Sequence, residues 1–152
     1  MELVYRNAVE KDLPVLIQML ADDDLGGKRE DFSVVLNSNY IAAFNSIESD
    51  PNNELIVACY HNNIIGMLQL TFIPYLTYIG SWRCLIEGVR IHSKHRGQGL
   101  GRKTFEWAIA RAQAKNCRLI QLTSDKTRID ALRFYESLGF IASHEGFKLH
   151  LK

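Results

Sequence analysis

Hydrophobic residues in the N-terminal third of the chain follow the spacing of helices, after one short strand predicted at 3–6. In the first helix, apolar side chains recur at i, i+3, i+4 and i+7, at Leu13, Leu16, Ile17 and Leu20. Asp12 is its expected N-cap, and Pro14 is compatible with its first turn. The polar segment 22–31 interrupts this pattern, and a second helix is predicted over 33–46.

The middle of the chain changes to the pattern of strands. Three strands are predicted, over 54–60, 64–72 and 82–92, and His61-Asn62-Asn63 is short enough to be a hairpin turn between the first two. Strands that follow helices in this way predict a mixed α/β (α+β) sheet rather than a purely parallel one.

The C-terminal third alternates helix and strand again. A helix is predicted from Leu100 to about 115, because one face of it is apolar and the other charged. A strand at 119–123 and a helix at 128–138 follow. We expect Thr127 to begin that last helix through a capping box with Asp130, and Gly139 to end it. The tail 140–151 is predicted to form a final hairpin.

Composition indicates one ordinary globular domain over residues 1–152, with 47% hydrophobic and 23% charged residues. The 18 basic and 17 acidic residues give a net charge of +1, which argues against nucleic acid as a partner. Three cysteines with no C-x-x-C spacing predict neither a disulfide framework nor a zinc site, and no metal is expected. No signal peptide or membrane span is predicted, so we expect a cytoplasmic protein.

The most informative stretch is a glycine-rich loop between the strand at 82–92 and the following helix. Glycines stand at every second position in it, at Gly97, Gly99 and Gly101. Such a loop exposes backbone amides, and the helix start that follows it favours an anion. Five cations and no carboxylate lie between positions 90 and 103, at Arg90, Lys94, Arg96, Arg102 and Lys103. The loop is therefore predicted to bind a phosphate or pyrophosphate.

Two familiar phosphate motifs do not fit this loop. A P-loop requires four residues between its glycines and a Gly-Lys-Ser/Thr ending, whereas Gly97 and Gly101 are separated by three residues and lead into Arg102. A dinucleotide fingerprint requires G-x-G-x-x-G, with an acid such as Asp125 further on, but the spacing here is G-x-G-x-G.

The R-x-x-G-x-G pattern of Arg96, Gly99 and Gly101 resembles the coenzyme loop of the GNAT N-acetyltransferases. The resemblance continues in the Val89-Arg90-Ile91 strand end and in the later motifs Ala131-Leu132-Arg133-Phe134-Tyr135-Glu136 and Leu138-Gly139-Phe140. It implies a single-domain GNAT-like fold, with about six or seven strands in a mostly antiparallel sheet and about four helices. It also implies acetyl-coenzyme A as co-substrate, an amine acceptor and a possible homodimer.

The resemblance also assigns roles to individual residues. Main-chain groups of Val89, Arg90 and Ile91 would contact the pantetheine arm and the acetyl group. The pyrophosphate would be held by the loop and helix start, at Arg96, Gly97, Gln98, Gly99, Leu100, Gly101 and Arg102. Asp130 stands where the family often has an Asn near the pantetheine.

Acetyl transfer to an amine needs a base for the amine and an acid for the departing thiolate. By resemblance Tyr135 is the acid, unless it is simply a core tyrosine. Glu87 is the best base, because alternation places it on one strand face with Leu85, Val89 and Ile91, where loss of hydration would raise its pKa. A purely structural ion pair is the alternative for Glu87.

The acidic stretch within 22–31 has two interpretations. By resemblance it lies beside the acceptor, where an acidic rim would suit a cationic amine; otherwise it is a solvated loop. The function predicted from the sequence is direct acetyl transfer from acetyl-coenzyme A to a primary amine of a small molecule or protein. The alternative is a non-catalytic domain that binds or senses acyl-coenzyme A.

Overall fold

A computed structural model describes residues 1–152 of the chain. Its five strands are β1 (Val4–Asn7), β2 (Asn53–Tyr60), β3 (Asn63–Pro74), β4 (Trp82–Ile91) and β5 (Leu119–Gln121). Its six helices are α1 (Leu13–Ala21), α2 (Asp24–Arg29), α3 (Ser38–Ser49), α4 (Thr77–Gly80), α5 (Leu100–Ala114) and α6 (Ile129–Ser137). Short 3₁₀ turns cover Glu10–Asp12 and Ser93–His95.

The strands form one sheet in the order β1-β2-β3-β4-β5. The first three pairings are antiparallel, and β4 pairs with β5 in parallel. The predicted mixed, mostly antiparallel sheet is therefore confirmed. The predicted number of strands was too high, because the sheet has five, and the predicted number of helices was too low.

The chain divides into two units by its internal contacts, Met1–Gln121 and Leu122–Lys152. The first unit contains the whole sheet and α1 to α5, and the second contains α6 and the tail.

The β2–β3 turn is the tight hairpin that the sequence predicts. His61 and Asn62 have φ of 46° and 65°, and Tyr60 pairs with Asn63 on either side of them. Two consecutive left-handed residues form a type I′ turn, whose twist matches that of antiparallel strands.

One sheet face is covered by α1 and α3. The buried cluster on this side joins residues of both helices to strand residues, and consists of Ala8, Leu13, Leu16, Ile17, Met19, Phe44, Val57, Cys59 and Met67. Side chains alternate across a strand, so the intervening residues form the other face. There α5 lies over β3 and β4, and Tyr5 stacks on Trp107 with ring centroids 4.7 Å apart.

The N-terminal helices differ from the prediction in two ways. Asp12 does stand at the N-cap position of α1, but its carboxylate accepts hydrogen bonds from Val9 N and Arg6 instead of capping that helix. The second predicted helix, 33–46, begins and ends later, as α3. The short α2 was not predicted, because its polar sequence has no apolar periodicity.

The C-terminal unit corrects two further predictions. Thr127 does not cap α6; its N–H and hydroxyl both donate to Asp125 Oδ1, and the N-cap is Arg128. The tail 140–151 contains no strand. Phe147, Leu149 and Leu151 alternate with polar residues as they would in a strand, but a strand also needs a hydrogen-bonded partner, and a lone hairpin is marginal at best. Gly139 does end α6, with φ of 96°.

Candidate coenzyme-binding site

The site begins at a β-bulge in β4. Met67 pairs with Arg90 and Gln69 pairs with Glu87, so two residues of β4 stand opposite one residue of β3. Gly88 lies in this bulge with φ of 62°, a conformation that costs glycine little. The extra residue bends the strand and reverses the alternation of side chains beyond it.

The bulge changes the expected environment of Glu87. Sequence alternation placed Glu87 on one face with Leu85, Val89 and Ile91, but that alternation does not continue through the bulge. Glu87 is exposed, so the expected loss of hydration is wrong. Its cross-strand partner is the polar residue Gln69.

The loop after β4 is built for exposed backbone amides. His92 Nδ1 accepts a hydrogen bond from Lys94 N and starts the 3₁₀ turn. Gly97 and Gly99 both have φ of 76°, and a Cβ placed on either would meet no atom within 4 Å. The loop therefore has left-handed glycines beside open space, which is the arrangement that a ligand-binding backbone requires.

Helix α5 starts directly from this loop. Gly99 is its N-cap and provides no side-chain cap, and no acidic residue lies in the first turn. The first N–H groups of a helix have no partner within the helix and carry a partial positive charge. With 15 residues, α5 is long enough for its dipole to favour an anion at this end.

Two arginines of the predicted site are paired with acids from the distant segment between α1 and α2. Arg96 Nη2 lies 3.5 Å from Asp22 Oδ2, and its Nε donates to Ile91 O at 3.1 Å. Arg90 Nη2 lies 3.6 Å from Asp23 Oδ2, and its Nη1 donates to Val89 O at 2.8 Å. The acid-free run of cations in the sequence is thus partly neutralised by the junction between α1 and α2.

That junction is closely packed against the bulge. Asp23 caps α2 by accepting a hydrogen bond from Gly26 N. A Cβ on Gly26 would lie 1.9 Å from Leu20 O, so only glycine fits there. Leu20 also lies over the bulge, since its Cδ2 would be 4.0 Å from a Cβ on Gly88. Asp23 is therefore held within this packed junction, whereas the side chain of Asp22 stays half-exposed.

The C-terminal unit contains the remaining two predicted residues. Tyr135 is half-buried in α6, with its ring 5.6 Å from that of Phe134 and 6.1 Å from that of Phe140. Asp130 is exposed in the first turn of the same helix. It lines a shallow groove together with Thr127, Arg128, Ile129, Ala131 and Arg133.

The cysteines are not placed for chemistry in this site. Burial raises the pKa of the Cys84 thiol to about 12, and it also raises the pKa of Cys117. A protonated thiol is a poor nucleophile and a poor metal ligand. No group of three or more His, Cys, Asp or Glu side chains is placed to share a metal ion.

Comparison with known proteins identifies the family. The sequence model of the acetyltransferase (GNAT) family matches residues 18–140, which is most of the chain. The chain belongs to the acetyltransferase (GNAT) family. The match includes the bulge, the glycine loop and α6, so the GNAT resemblance of these motifs is confirmed.

Two curated relatives are named N-acetyltransferases. One is the aminoalkylphosphonate N-acetyltransferase of Salmonella typhimurium, 30% identical over 98 residues, which are 64% of this chain and 63% of that protein. The other is N-alpha-acetyltransferase 30 of Saccharomyces cerevisiae, 34% identical over 69 residues, 45% of this chain and 39% of that protein. The chain therefore matches less than two thirds of the length of either.

Solved structures share the GNAT fold over nearly the whole chain. A structure from Bacillus halodurans C-125, described as a transcriptional regulator, has a TM-score of 0.95 and 59% identity, covering 99% of this chain and all of the other. A structure described as a putative acetyltransferase from Agrobacterium tumefaciens has a TM-score of 0.83 and 25% identity, covering 97% of this chain and 99% of the other.

None of the helices has the length and apolar character needed to cross a bilayer.

The loop fits the coenzyme that GNAT proteins use. Its two left-handed glycines leave open space beside the backbone, and the start of α5 carries cations and no acid. An anionic diphosphate is complementary to both features.

Proposed function

We propose that this protein is an N-acetyltransferase that transfers the acetyl group of acetyl-coenzyme A directly to a primary amine. The proposal rests on the geometry of the loop between β4 and α5. Left-handed Gly97 and Gly99, the open helix start and Arg96 together form a binding surface for a diphosphate, within a chain of the GNAT family.

Acetyl-coenzyme A supplies an activated acetyl thioester when it is bound. The residues from Arg96 to Arg102 would hold its diphosphate through backbone N–H groups and guanidinium groups. Main-chain groups of Val89, Arg90 and Ile91, just after the bulge, would align the pantetheine arm. In this part of the strand Arg90 Nη1 donates a hydrogen bond to Val89 O.

Glu87 is the proposed base. Its exposed carboxylate stands directly before the bulge, where it can take a proton from an ammonium group itself or through one water. Solvent exposure supports the second route, because water has access to the carboxylate. Tyr135 is the proposed acid, whose hydroxyl would give a proton to the departing thiolate.

The family match also supports a single acetyltransferase domain over residues 1–152. It runs from residue 18 to residue 140 and so includes parts of both units of the chain. Glu87 belongs to the first unit and Tyr135 to the second.

The acceptor is proposed as a primary amine of a small molecule or a protein. The two curated relatives are named for different acceptors, an aminoalkylphosphonate and an α-amino group. An amine panel that contains both kinds therefore tests the proposal.

The direct experiment measures thiol release from acetyl-coenzyme A by the full chain across that panel, together with coenzyme affinity by calorimetry. We expect thiol release that depends on at least one amine. Glu87→Gln and Tyr135→Phe should each lower turnover by about a hundredfold or more, the typical contribution of a general acid or base, and leave coenzyme affinity unchanged. Glu48→Gln and Tyr78→Phe, at exposed positions in α3 and α4, are the matched controls.

The second candidate function is a domain that binds or senses acyl-coenzyme A without turnover. The 59% identity with a structure described as a transcriptional regulator favours it. It predicts tight coenzyme binding with no thiol release across the whole amine panel, and no effect of Glu87→Gln or Tyr135→Phe. Amine-dependent turnover excludes it.

A further inference from the structure

Arg96 is held from two sides, and the two contacts differ in strength. Its Nε donates to the backbone carbonyl of Ile91 at 3.1 Å, which orients the guanidinium from within its own loop. Its Nη2 reaches Asp22, with distances of 3.4 Å to the backbone carbonyl and 3.5 Å to Oδ2. The second contact is long, and the side chains of Arg96 and Asp22 are 48% and 50% exposed.

The neighbouring pair is no closer, with 3.6 Å between Arg90 Nη2 and Asp23 Oδ2, but it is more buried, with side-chain exposures of 13% and 28%. Each partner also has a backbone hydrogen bond, because Arg90 donates to Val89 O and Asp23 accepts from Gly26 N at the start of α2. Exposed ion pairs contribute little to stability, whereas partly buried, hydrogen-bonded ones are harder to break. An anion that approaches the loop therefore meets one exchangeable acid, Asp22, and one fixed acid, Asp23.

We propose that Asp22 takes, on Arg96, the place of a coenzyme phosphate oxygen, and that coenzyme binding displaces it. Asp22 is then a residue that sets coenzyme affinity by competing for Arg96. This inference rests on the proposed function, because it requires the loop to bind the coenzyme diphosphate. The Ile91 contact keeps Arg96 oriented when Asp22 is removed, so the competitor can be lost without losing the binding group.

The competition predicts a gain of affinity. Asp22→Asn removes the charge that occupies Arg96 and that repels the incoming phosphates, while it keeps the side-chain size. An exposed ion pair of this kind contributes an interaction energy that corresponds to a change of about two- to fivefold in a binding constant. We therefore expect Asp22→Asn to bind coenzyme A about two- to fivefold more tightly than the parent chain.

The experiment titrates coenzyme A into the full chain by calorimetry, with inorganic pyrophosphate as a competing probe. Asp24→Asn is the matched control, because it removes one negative charge from the exposed first turn of α2 and should leave the affinity unchanged. Arg96→Gln should weaken binding and reduce the gain that Asp22→Asn gives. Asp22→Ser serves as a second variant and should show the same gain.

The possible results are separable. If the parent chain binds no coenzyme A, the proposed function fails. If the parent binds but Asp22→Asn has equal or weaker affinity, Asp22 positions Arg96 or is irrelevant to it, and this inference alone is overturned. A gain equal to that of Asp24→Asn also overturns it, because net charge would then be the cause.

Discussion

Gly99→Val tests whether the glycine loop binds the coenzyme. The substitution has a backbone energy cost in folding, but it lies at an open position of the loop. Gly99 has φ of 76°, and a Cβ there would meet no atom within 4 Å. The cost to folding is therefore conformational, about 1–2 kcal/mol for an L-residue in a left-handed conformation. For a protein of this length, that corresponds to a fall in Tm of roughly 2–8 °C.

The effect on coenzyme binding should be larger than the effect on folding. The new side chain would occupy the space beside the loop backbone, where the diphosphate is proposed to bind. Loss of one charge-assisted hydrogen bond costs about 1.5–3 kcal/mol, so we expect coenzyme affinity to fall by about tenfold or more. Calorimetric titration with coenzyme A and thermal unfolding measure the two effects independently.

Gly80→Val provides the matched control. Gly80 has φ of 65° and only Tyr75 O, at 4.0 Å, near its Cβ position, so it has a similar backbone cost far from the loop in sequence. We expect a comparable fall in Tm and unchanged coenzyme affinity. Equal affinity of Gly99→Val and the parent chain would refute the loop assignment. If Gly99→Val does not fold, Gly99→Ala applies the same test with less strain.

Three further predictions concern the framework of the fold. Gly26→Ala places a Cβ 1.9 Å from Leu20 O and should destabilise the chain by about 1–3 kcal/mol in chemical denaturation; Gly27→Ala, whose nearest contact is 3.4 Å, should be far milder. Burial opposes ionisation of Asp12, but hydrogen bonds from Arg6 and Val9 N outweigh it and lower its pKa. The stability that this carboxylate contributes is therefore complete above about pH 4 and is lost as the pH falls through its folded-state pKa. Asp12→Asn should therefore reduce the loss of unfolding free energy that the parent chain shows below about pH 4, as denaturant unfolding at a series of pH values measures. Cys84 is fully buried, with a pKa raised to about 12, and should resist iodoacetamide at pH 8 until the chain is unfolded, as peptide mass spectrometry can show.

Local patterns predicted the elements well wherever a repeating side-chain spacing or a turn signal was present. The strands that became β2 to β4, the tight turn at His61 and Asn62, and the start of α5 at Leu100 all have such signals. The glycine loop was predictable for the same reason, because left-handed glycines and a helix start are encoded within a few residues.

Features that depend on a distant partner were not predictable. The pairing of Arg96 with Asp22 joins residues 74 positions apart, and no local pattern connects them. In the tail, Phe147, Leu149 and Leu151 alternate with polar residues, but alternation does not provide a neighbouring strand. The exposure of Glu87 was missed because one extra residue in the bulge reverses the alternation. Gly88 was the available signal, because a glycine inside a strand often marks a bulge.

Backbone amide resonances of the full chain, followed during titration with coenzyme A, show directly whether the β4–α5 loop binds the coenzyme. We expect the amides from Arg96 to Arg102 to shift first and most strongly. Saturable binding that leaves these amides unchanged, or the absence of any binding, would contradict this expectation.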